Sequence, residues 1–185
     1  YKRQDMESSD YTDVTIEFYN TMRKEFPQNI GIVFQAYLYR TEDDIKKLLK
    51  EGPVNVRLCK GAYKEPPDKA FPKKKDVDKN FVNLLKILLD PGILKHGSRT
   101  AIATHDEKII SWSEGYIKEK NLEKNWYEYQ MLYGIRRDLQ EYLAQKGEKV
   151  RIYVPYGIEW YPYFMRRLAE RPANVLFILK NLLKP

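Results

Sequence analysis

Short apolar runs alternate along the chain with stretches whose apolar residues recur at helical spacing. The runs predicted as strands cover residues 30–39, 54–58, 100–104, 127–132 and 150–154, with a shorter one near residues 5–6. Helical patterns separate them, and such alternation is typical of strand-helix-strand units that build a parallel sheet. The pattern therefore predicts an α/β protein with six parallel strands.

The helical stretches predict which side chains face the core. In the first, Val14, Phe18, Met22 and Phe26 follow one another at four-residue spacing and are expected to form a buried face. A later helix has its predicted core face on Val77, Phe81, Leu84, Leu85 and Leu88. Both helices should pack on the sheet.

Six units are two fewer than a closed barrel of alternating strands and helices contains. We expect the chain of 185 residues to carry the last six strand-helix units of a (β/α)8 TIM-like barrel, as one catalytic domain over residues 1–185 that lacks the N-terminal strands. A six-stranded sheet would leave exposed edges and should neither fold nor work well alone. The N-terminal part is therefore expected as a separate segment that completes the barrel, unless the chain is a fragment.

Polar residues follow or end each predicted strand, and in parallel alternating folds ligands bind at that end. They are Asp5, Gln35, Lys60, Thr104, His105, Gln130 and Tyr153. One such residue is unremarkable, but a set at all six strands indicates a site.

Composition narrows the function classes. The net charge of +7 permits an anionic partner, but 26 acidic residues are interleaved with the basic ones, so we expect no nucleic-acid partner. The single cysteine, Cys59, and the absence of metal-ligand spacing predict no disulfide and no metal site. Serine-nucleophile and glycine-rich dinucleotide motifs are also absent.

Near the C-terminus, Arg166 and Arg167 precede Glu170 by four and three residues on a predicted helix. The glutamate can therefore orient both guanidinium groups, which bind a carboxylate through paired hydrogen bonds. The alternative is a solvated helix face with ordinary intrahelical ion pairs.

Two further groups of residues suggest that the protein binds an anion. Arg57 lies inside a predicted strand, where burying its guanidinium is costly unless it meets a bound anion or a protein carboxylate such as Asp5. The residue can bind a ligand and pair with Asp5 at the same time. Thr104 and His105 precede a helix that begins at Asp106, where free backbone N–H groups favour a phosphate. A purely structural role for the histidine is the alternative.

Taken in order, these residues resemble the proline dehydrogenase family, flavin enzymes that oxidise L-proline on a (β/α)8 barrel. The resemblance extends over nearly the whole chain. Its carriers are Asp5-Met-Glu7, Gln35-Ala-Tyr37, Val56-Arg-Leu-Cys-Lys-Gly-Ala-Tyr63, Ala103-Thr-His105, Tyr129-Gln-Met-Leu132, Tyr153-Val-Pro-Tyr-Gly157 and Arg166-Arg-Leu-Ala-Glu170.

The resemblance implies specific roles. The substrate set is Arg166, Arg167 and Glu170 at the proline carboxylate, with Tyr153, Leu132 and Tyr63 around the ring. The FAD set is Met6, Gln35, Arg57, Thr104 and His105, with the backbone of Lys60, Gly61 and Ala62. Asp5 and Arg57 would be the catalytic pair beside flavin and substrate, with Asp5 bonded to Arg57 or to a lysine.

The resemblance also implies the reaction and its setting. Hydride would pass from the proline ring to FAD, giving Δ1-pyrroline-5-carboxylate, and the electrons would pass to a quinone. The protein would be cytoplasmic, with peripheral association at the inner face of a respiratory membrane as a further option. Two departures stand out: Cys59 replaces a small aliphatic residue, and the family's substrate lysine belongs to an earlier strand that is absent here. The alternative function is a catalytically idle barrel fragment that binds a carboxylate ligand or a partner protein.

Overall fold

The computed structural model describes residues 2–158. Tyr1–Ile152 form one compact unit, and a second unit begins at Tyr153, of which residues 153–158 are described. The single domain over residues 1–185 remains a prediction.

The sheet has six strands whose spatial order follows their order in the chain. The strands are β1 (Lys2–Gln4), β2 (Ile30–Gln35), β3 (Asn55–Cys59), β4 (Arg99–Ala103), β5 (Tyr127–Leu132) and β6 (Val150–Tyr153). Each pair from β1 to β5 is parallel. An order without reversal is that of a (β/α)8 barrel, since doubly wound sheets reverse direction at a switch point. The predicted fold class is confirmed.

Helices connect the strands. They are α1 (Thr12–Glu25), α2 (Thr41–Lys50), α3 (Lys74–Leu88), α4 (Pro91–Lys95), α5 (Glu107–Glu119) and α6 (Arg137–Gln145). The short α4 was not expected; Asp90 caps it by accepting hydrogen bonds from the N–H groups of Gly92 and Ile93. Within residues 2–158, no helix combines the length and apolarity needed to cross a bilayer.

The core lies between the central strands and the helices that cover them. Every residue of β2 is buried, as expected for a parallel strand that is covered on both faces. The predicted apolar face of α3 is also buried, from Val77 at 9% exposed to Phe81 at 0%. The predicted core face of α3 is confirmed.

The predicted face of α1 is wrong. Val14 and Phe18 are 57% and 49% exposed, whereas Thr15 and Tyr19 are buried. Tyr19 is a large amphipathic ring that packs into the core, with the guanidinium of Arg23 5.6 Å from its centroid. The helix therefore presents a face to the core that apolar character alone did not identify.

β3, β4 and β6 lie within one residue of their predicted limits, but two other strands differ by more. β1 ends before Asp5 instead of containing it, and β2 ends at Gln35 instead of residue 39. After Gln35 the chain turns, and Leu38 makes an isolated antiparallel bridge with Ala70. Ala36 still donates its N–H to Cys59 at the end of β3, whereas residues 37–39 pair with the loop after β3.

Candidate active site

Polar side chains meet where the parallel strands end. Asp5 directly follows β1, Gln35 ends β2, and Arg57 lies two residues before the end of β3. Gln130 lies two residues before the end of β5. Four strands of the sheet, three of them adjacent and the fourth beyond β4, thus contribute to one region.

Arg57 is the centre of this region. Its Nη1 donates to Oδ1 of Asp5 at 2.8 Å and its Nε donates to Oε1 of Gln130 at 2.5 Å. To reach Gln130 the side chain crosses β4, where its register partner is Ala101. A methyl side chain there leaves room for the guanidinium to pass. The Arg57 side chain is only 19% exposed, and the Asp5 carboxylate balances its charge.

The amide of Gln130 is held by a second carboxylate. Its Nε2 donates to Glu128, and Glu128 accepts two hydrogen bonds from Arg151, at 2.8 and 2.9 Å. Burial alone would raise the pKa of Glu128, but the hydrogen bonds from Arg151 and Gln130 outweigh it and lower that pKa. An ionised Glu128 accepts only, so it turns the Gln130 oxygen toward Arg57. The sequence marked Gln130 as a rim residue, but the small residue Ala101 was the only local signal for this link.

Gln35 offers an unused acceptor at the same edge. It is 3% exposed, and its Nε2 donates to the carbonyl oxygens of Met6 and Glu7 at 3.4 and 3.2 Å. Its Oε1 has no hydrogen-bond partner among the residues that the structure describes. A buried orphan acceptor costs about 1–3 kcal/mol, which a ligand N–H group can recover. This residue therefore suits a cofactor with a ring N–H, and buried Met6 lies beside it.

Lys60 belongs to a network of charges between α3 and α5. Its Nζ bonds to Asp78 and lies 2.7 Å from Asp106, and Lys74 bonds to the same two carboxylates at 2.7 and 3.3 Å. Burial alone would raise the pKa of Asp106, but the bond and charge of Lys60, followed by those of Lys74, lower it to about 2. The Lys60 ammonium is thus engaged by protein carboxylates, and its backbone carbonyl oxygen already accepts the N–H of Tyr37 at 2.9 Å.

The N-terminus of α5 is partly occupied by its own residues. The Asp106 carboxylate accepts a hydrogen bond from the N–H of Lys108, and the N–H of Asp106 donates to Oγ1 of Thr104, both at 3.1 Å. His105 accepts the N–H of Leu132 at its Nε2, at 2.9 Å. Two of the N–H groups expected to receive a phosphate are therefore already bonded, and the histidine ties the end of β5 to the end of β4.

Three of the remaining predicted site residues that the structure describes are exposed to solvent. Ala62 is exposed and Tyr63 is 43% exposed, with its hydroxyl donating to the carboxylate of Glu7. Tyr153 ends β6 and is 44% exposed. The predicted carboxylate clamp lies outside the described residues; it comprises Arg166, Arg167 and Glu170.

The sequence matches a family of known proteins over most of its length. The profile described as proline dehydrogenase matches residues 3–180. Proline dehydrogenase 1 of Bacillus subtilis strain 168 is 46% identical over 180 residues, covering 97% of this chain and 57% of the relative. Proline dehydrogenase of Deinococcus radiodurans is 45% identical over 181 residues, covering 97% of this chain and 56% of the relative. The chain thus spans little more than half the length of these curated relatives.

A solved structure gives the same result for the fold. Proline utilization A from Bdellovibrio bacteriovorus, crystallised after inactivation by N-propargylglycine, superimposes with a TM-score of 0.82 at 30% identity. The match covers 90% of this chain and 19% of that much longer protein. Sequence and structure agree that this chain belongs to the proline dehydrogenase family.

Proposed function

We propose that the protein oxidises L-proline to Δ1-pyrroline-5-carboxylate, with FAD as its cofactor and a quinone as the acceptor that reoxidises it. Membership of the proline dehydrogenase family supports the reaction class. The observation that carries the proposal is the cluster at the sheet edge, where Asp5, Arg57 and Gln130 are joined by hydrogen bonds.

The described residues suit a flavin. The orphan Oε1 of Gln35 can accept an N–H of an isoalloxazine ring, and the Arg57 guanidinium offers fixed positive charge beside it. When bound, FAD supplies the two-electron acceptor. The holding set is Met6, Gln35, Arg57, Thr104 and His105, with the backbone of Lys60, Gly61 and Ala62.

Substrate binding is assigned to the carboxylate clamp. Arg166 and Arg167 would hold the proline carboxylate, with Glu170 fixing their orientation. Tyr63, Tyr153 and Leu132 would enclose the ring and exclude water. Binding in one orientation brings the reacting carbon to the cofactor and converts a bimolecular step into a nearly unimolecular one.

The setting of the reaction follows from the same proposal. A separate N-terminal segment that carries the remaining barrel strands and the substrate lysine is part of the same proposal; this chain covers 57% of the Bacillus subtilis relative. The protein would act in the cytoplasm and meet a quinone by peripheral association with the inner face of a respiratory membrane. One catalytic domain over residues 1–185 is part of this proposal.

The test is direct. The intact protein, purified and loaded with FAD, should be yellow, and anaerobic L-proline should bleach the flavin absorbance. With a dye acceptor, Arg57→Met should lower turnover strongly, because Asp5 and Gln130 lose their shared partner.

Arg137→Met is the matched control. Arg137 is 83% exposed and, within the described residues, pairs with Glu141 one helical turn away, so its loss should leave turnover unchanged. A parent protein that takes up FAD but is not bleached by proline would contradict the proposed reaction. Failure to bind FAD at all would contradict the cofactor assignment.

A further inference from the structure

The loop after β3 crosses the carboxyl ends of three neighbouring strands. We call residues 61–73 the strap. Its far end is joined to the segment after β2: the N–H of Phe71 donates to the carbonyl oxygen of Tyr37 at 2.8 Å, and the N–H of Tyr39 donates to that of Lys69 at 3.1 Å. Ala70 is buried between them at 4% exposed. This end of the strap is fixed by backbone hydrogen bonds.

The middle of the strap reaches further, to the segment after β1. The Glu65 carboxylate accepts the backbone N–H of Ser9 at 2.7 Å and the Ser9 hydroxyl at 2.5 Å. It also accepts the hydroxyl of Tyr37 at 3.4 Å. Burial raises the pKa of Tyr37 and the Glu65 charge adds to this, so the phenol stays protonated and donates. One carboxylate thus joins segments that follow β1, β2 and β3.

An ion pair also joins the strap to the segment after β1, but it holds the strap less firmly than Glu65 does. Lys69 lies 2.7 Å from Asp10, and their side chains are 44% and 75% exposed. Exposed pairs of this kind contribute little because water screens them and both chains lose freedom. Glu65 is half-buried and makes charge-assisted hydrogen bonds, which are about twice as strong as neutral ones.

Tyr63 lies two residues before Glu65 in the strap. Its hydroxyl donates to Glu7, which belongs to the same segment after β1 as Ser9. We infer that Glu65 is a positioning residue: by clamping Ser9 it holds the strap across the sheet edge and fixes where Tyr63 meets the substrate. This inference rests on the proposed function, because the substrate contact of Tyr63 is part of it.

The key variant is Glu65→Gln in the FAD-loaded intact protein. The amide nitrogen cannot accept either Ser9 donor, so at least one bond of the clamp is lost. We expect KM for proline to rise about tenfold, while kcat and bound flavin change by less than about twofold, because Tyr63 is displaced and the chemistry is not. Hydrogen–deuterium exchange at the Ser9 amide should become faster.

Variants at Ser9 test the same contact from its other side. Ser9→Ala should raise KM in the same direction, and Ser9→Thr, which keeps the hydroxyl, should restore it. Combining Ser9→Ala with Glu65→Gln should add little to either alone, since both break one contact. Lys69→Ala is the matched control in the strap and should leave KM unchanged.

Each result decides the inference. If Glu65→Gln speeds hydrogen–deuterium exchange at Ser9 but leaves KM unchanged, the contact between Glu65 and Ser9 is purely structural and the positioning role is wrong. Unchanged exchange would show that the clamp is not formed. A parent protein that has normal exchange behaviour but does not turn over proline would overturn the proposed function instead, and with it the role of Tyr63.

Discussion

Gly61→Ala should be one of the most damaging small substitutions in the described part of the chain. Gly61 has φ +111°, a backbone conformation that costs a residue with a side chain about 1–3 kcal/mol. A Cβ built there would lie 2.4 Å from Cδ1 and 2.6 Å from Cγ of the Tyr37 ring, well inside van der Waals contact.

The Tyr37 ring has little room to move away. Tyr37 is 8% exposed, its N–H donates to the carbonyl oxygen of Lys60 at 2.9 Å, and its own carbonyl accepts the N–H of Phe71. Overpacking of this kind costs about 1–3 kcal/mol. Together with the backbone strain, the loss in free energy of unfolding should be about 2–6 kcal/mol.

Urea and thermal unfolding of the purified variant measure this loss. For a chain of this size the midpoint temperature should fall by about 4–24 °C. Gly115→Ala is the control: Gly115 lies within α5, a Cβ there meets nothing within 4 Å, and the change should stabilise by about 0.5–1 kcal/mol. A double-mutant cycle with Tyr37→Ala isolates the steric part. If Gly61→Ala, like Gly115→Ala, leaves the free energy of unfolding unchanged or raises it, Gly61 does not lie this close to the Tyr37 ring.

Three other predictions address charge, substrate and core. Because the pKa of Asp106 is lowered from 3.8 to about 2, its contribution to stability is present above pH 3.8 and lost as pH falls toward 2. Asp106→Asn should therefore lower the free energy of unfolding by about 1–2 kcal/mol near pH 7, after allowance for solvent screening. Between pH 4 and 2 the free energy of unfolding of the variant should depend less on pH than that of the parent protein. Arg167→Met should raise KM for proline by about ten- to hundredfold, and an unchanged KM would refute its place in the clamp. Tyr129→Phe should lower unfolding free energy by about 1 kcal/mol, because its buried hydroxyl lies 3.2 Å from that of Ser113; no change in urea midpoint would contradict this.

The sequence predicted those parts of the fold in which apolar residues recur with the period of a helix or fill a buried strand. β5 was predicted with its exact limits, and the apolar face of α3 is buried as expected. Both elements are covered by other parts of the protein, so apolar residues fill nearly every inward position and the pattern is unambiguous.

The failure on α1 has the opposite cause. The four-residue spacing of Val14 and Phe18 is a valid helical pattern, but these side chains are exposed. The buried face uses Thr15 and Tyr19, whose polar atoms make a hydrophobicity pattern underestimate them. When one helix has two faces that could be buried, packing against the sheet determines which face is buried, and the periodicity of the sequence does not.

The strap was beyond prediction for a related reason. Glu65 and Ser9 are 56 residues apart, and each is an ordinary polar residue in its own segment. A contact between polar residues of two loops leaves no period and no motif. Only the structure identifies what the strap is fastened to.

The polar chain at the sheet edge supports the proposed functional role of Arg57. From Asp5 through Arg57 and Gln130 to Glu128 and Arg151, the hydrogen bonds span β1 to β6. The loss of hydration falls mainly on Arg57 and Glu128, whose side chains are 19% and 20% exposed, because Asp5 and Arg151 are 58% and 60% exposed. A partly buried guanidinium at the same sheet edge as the orphan acceptor of Gln35 is what the proposed flavin site would require, because such a group can tune the electronic state of a bound ring.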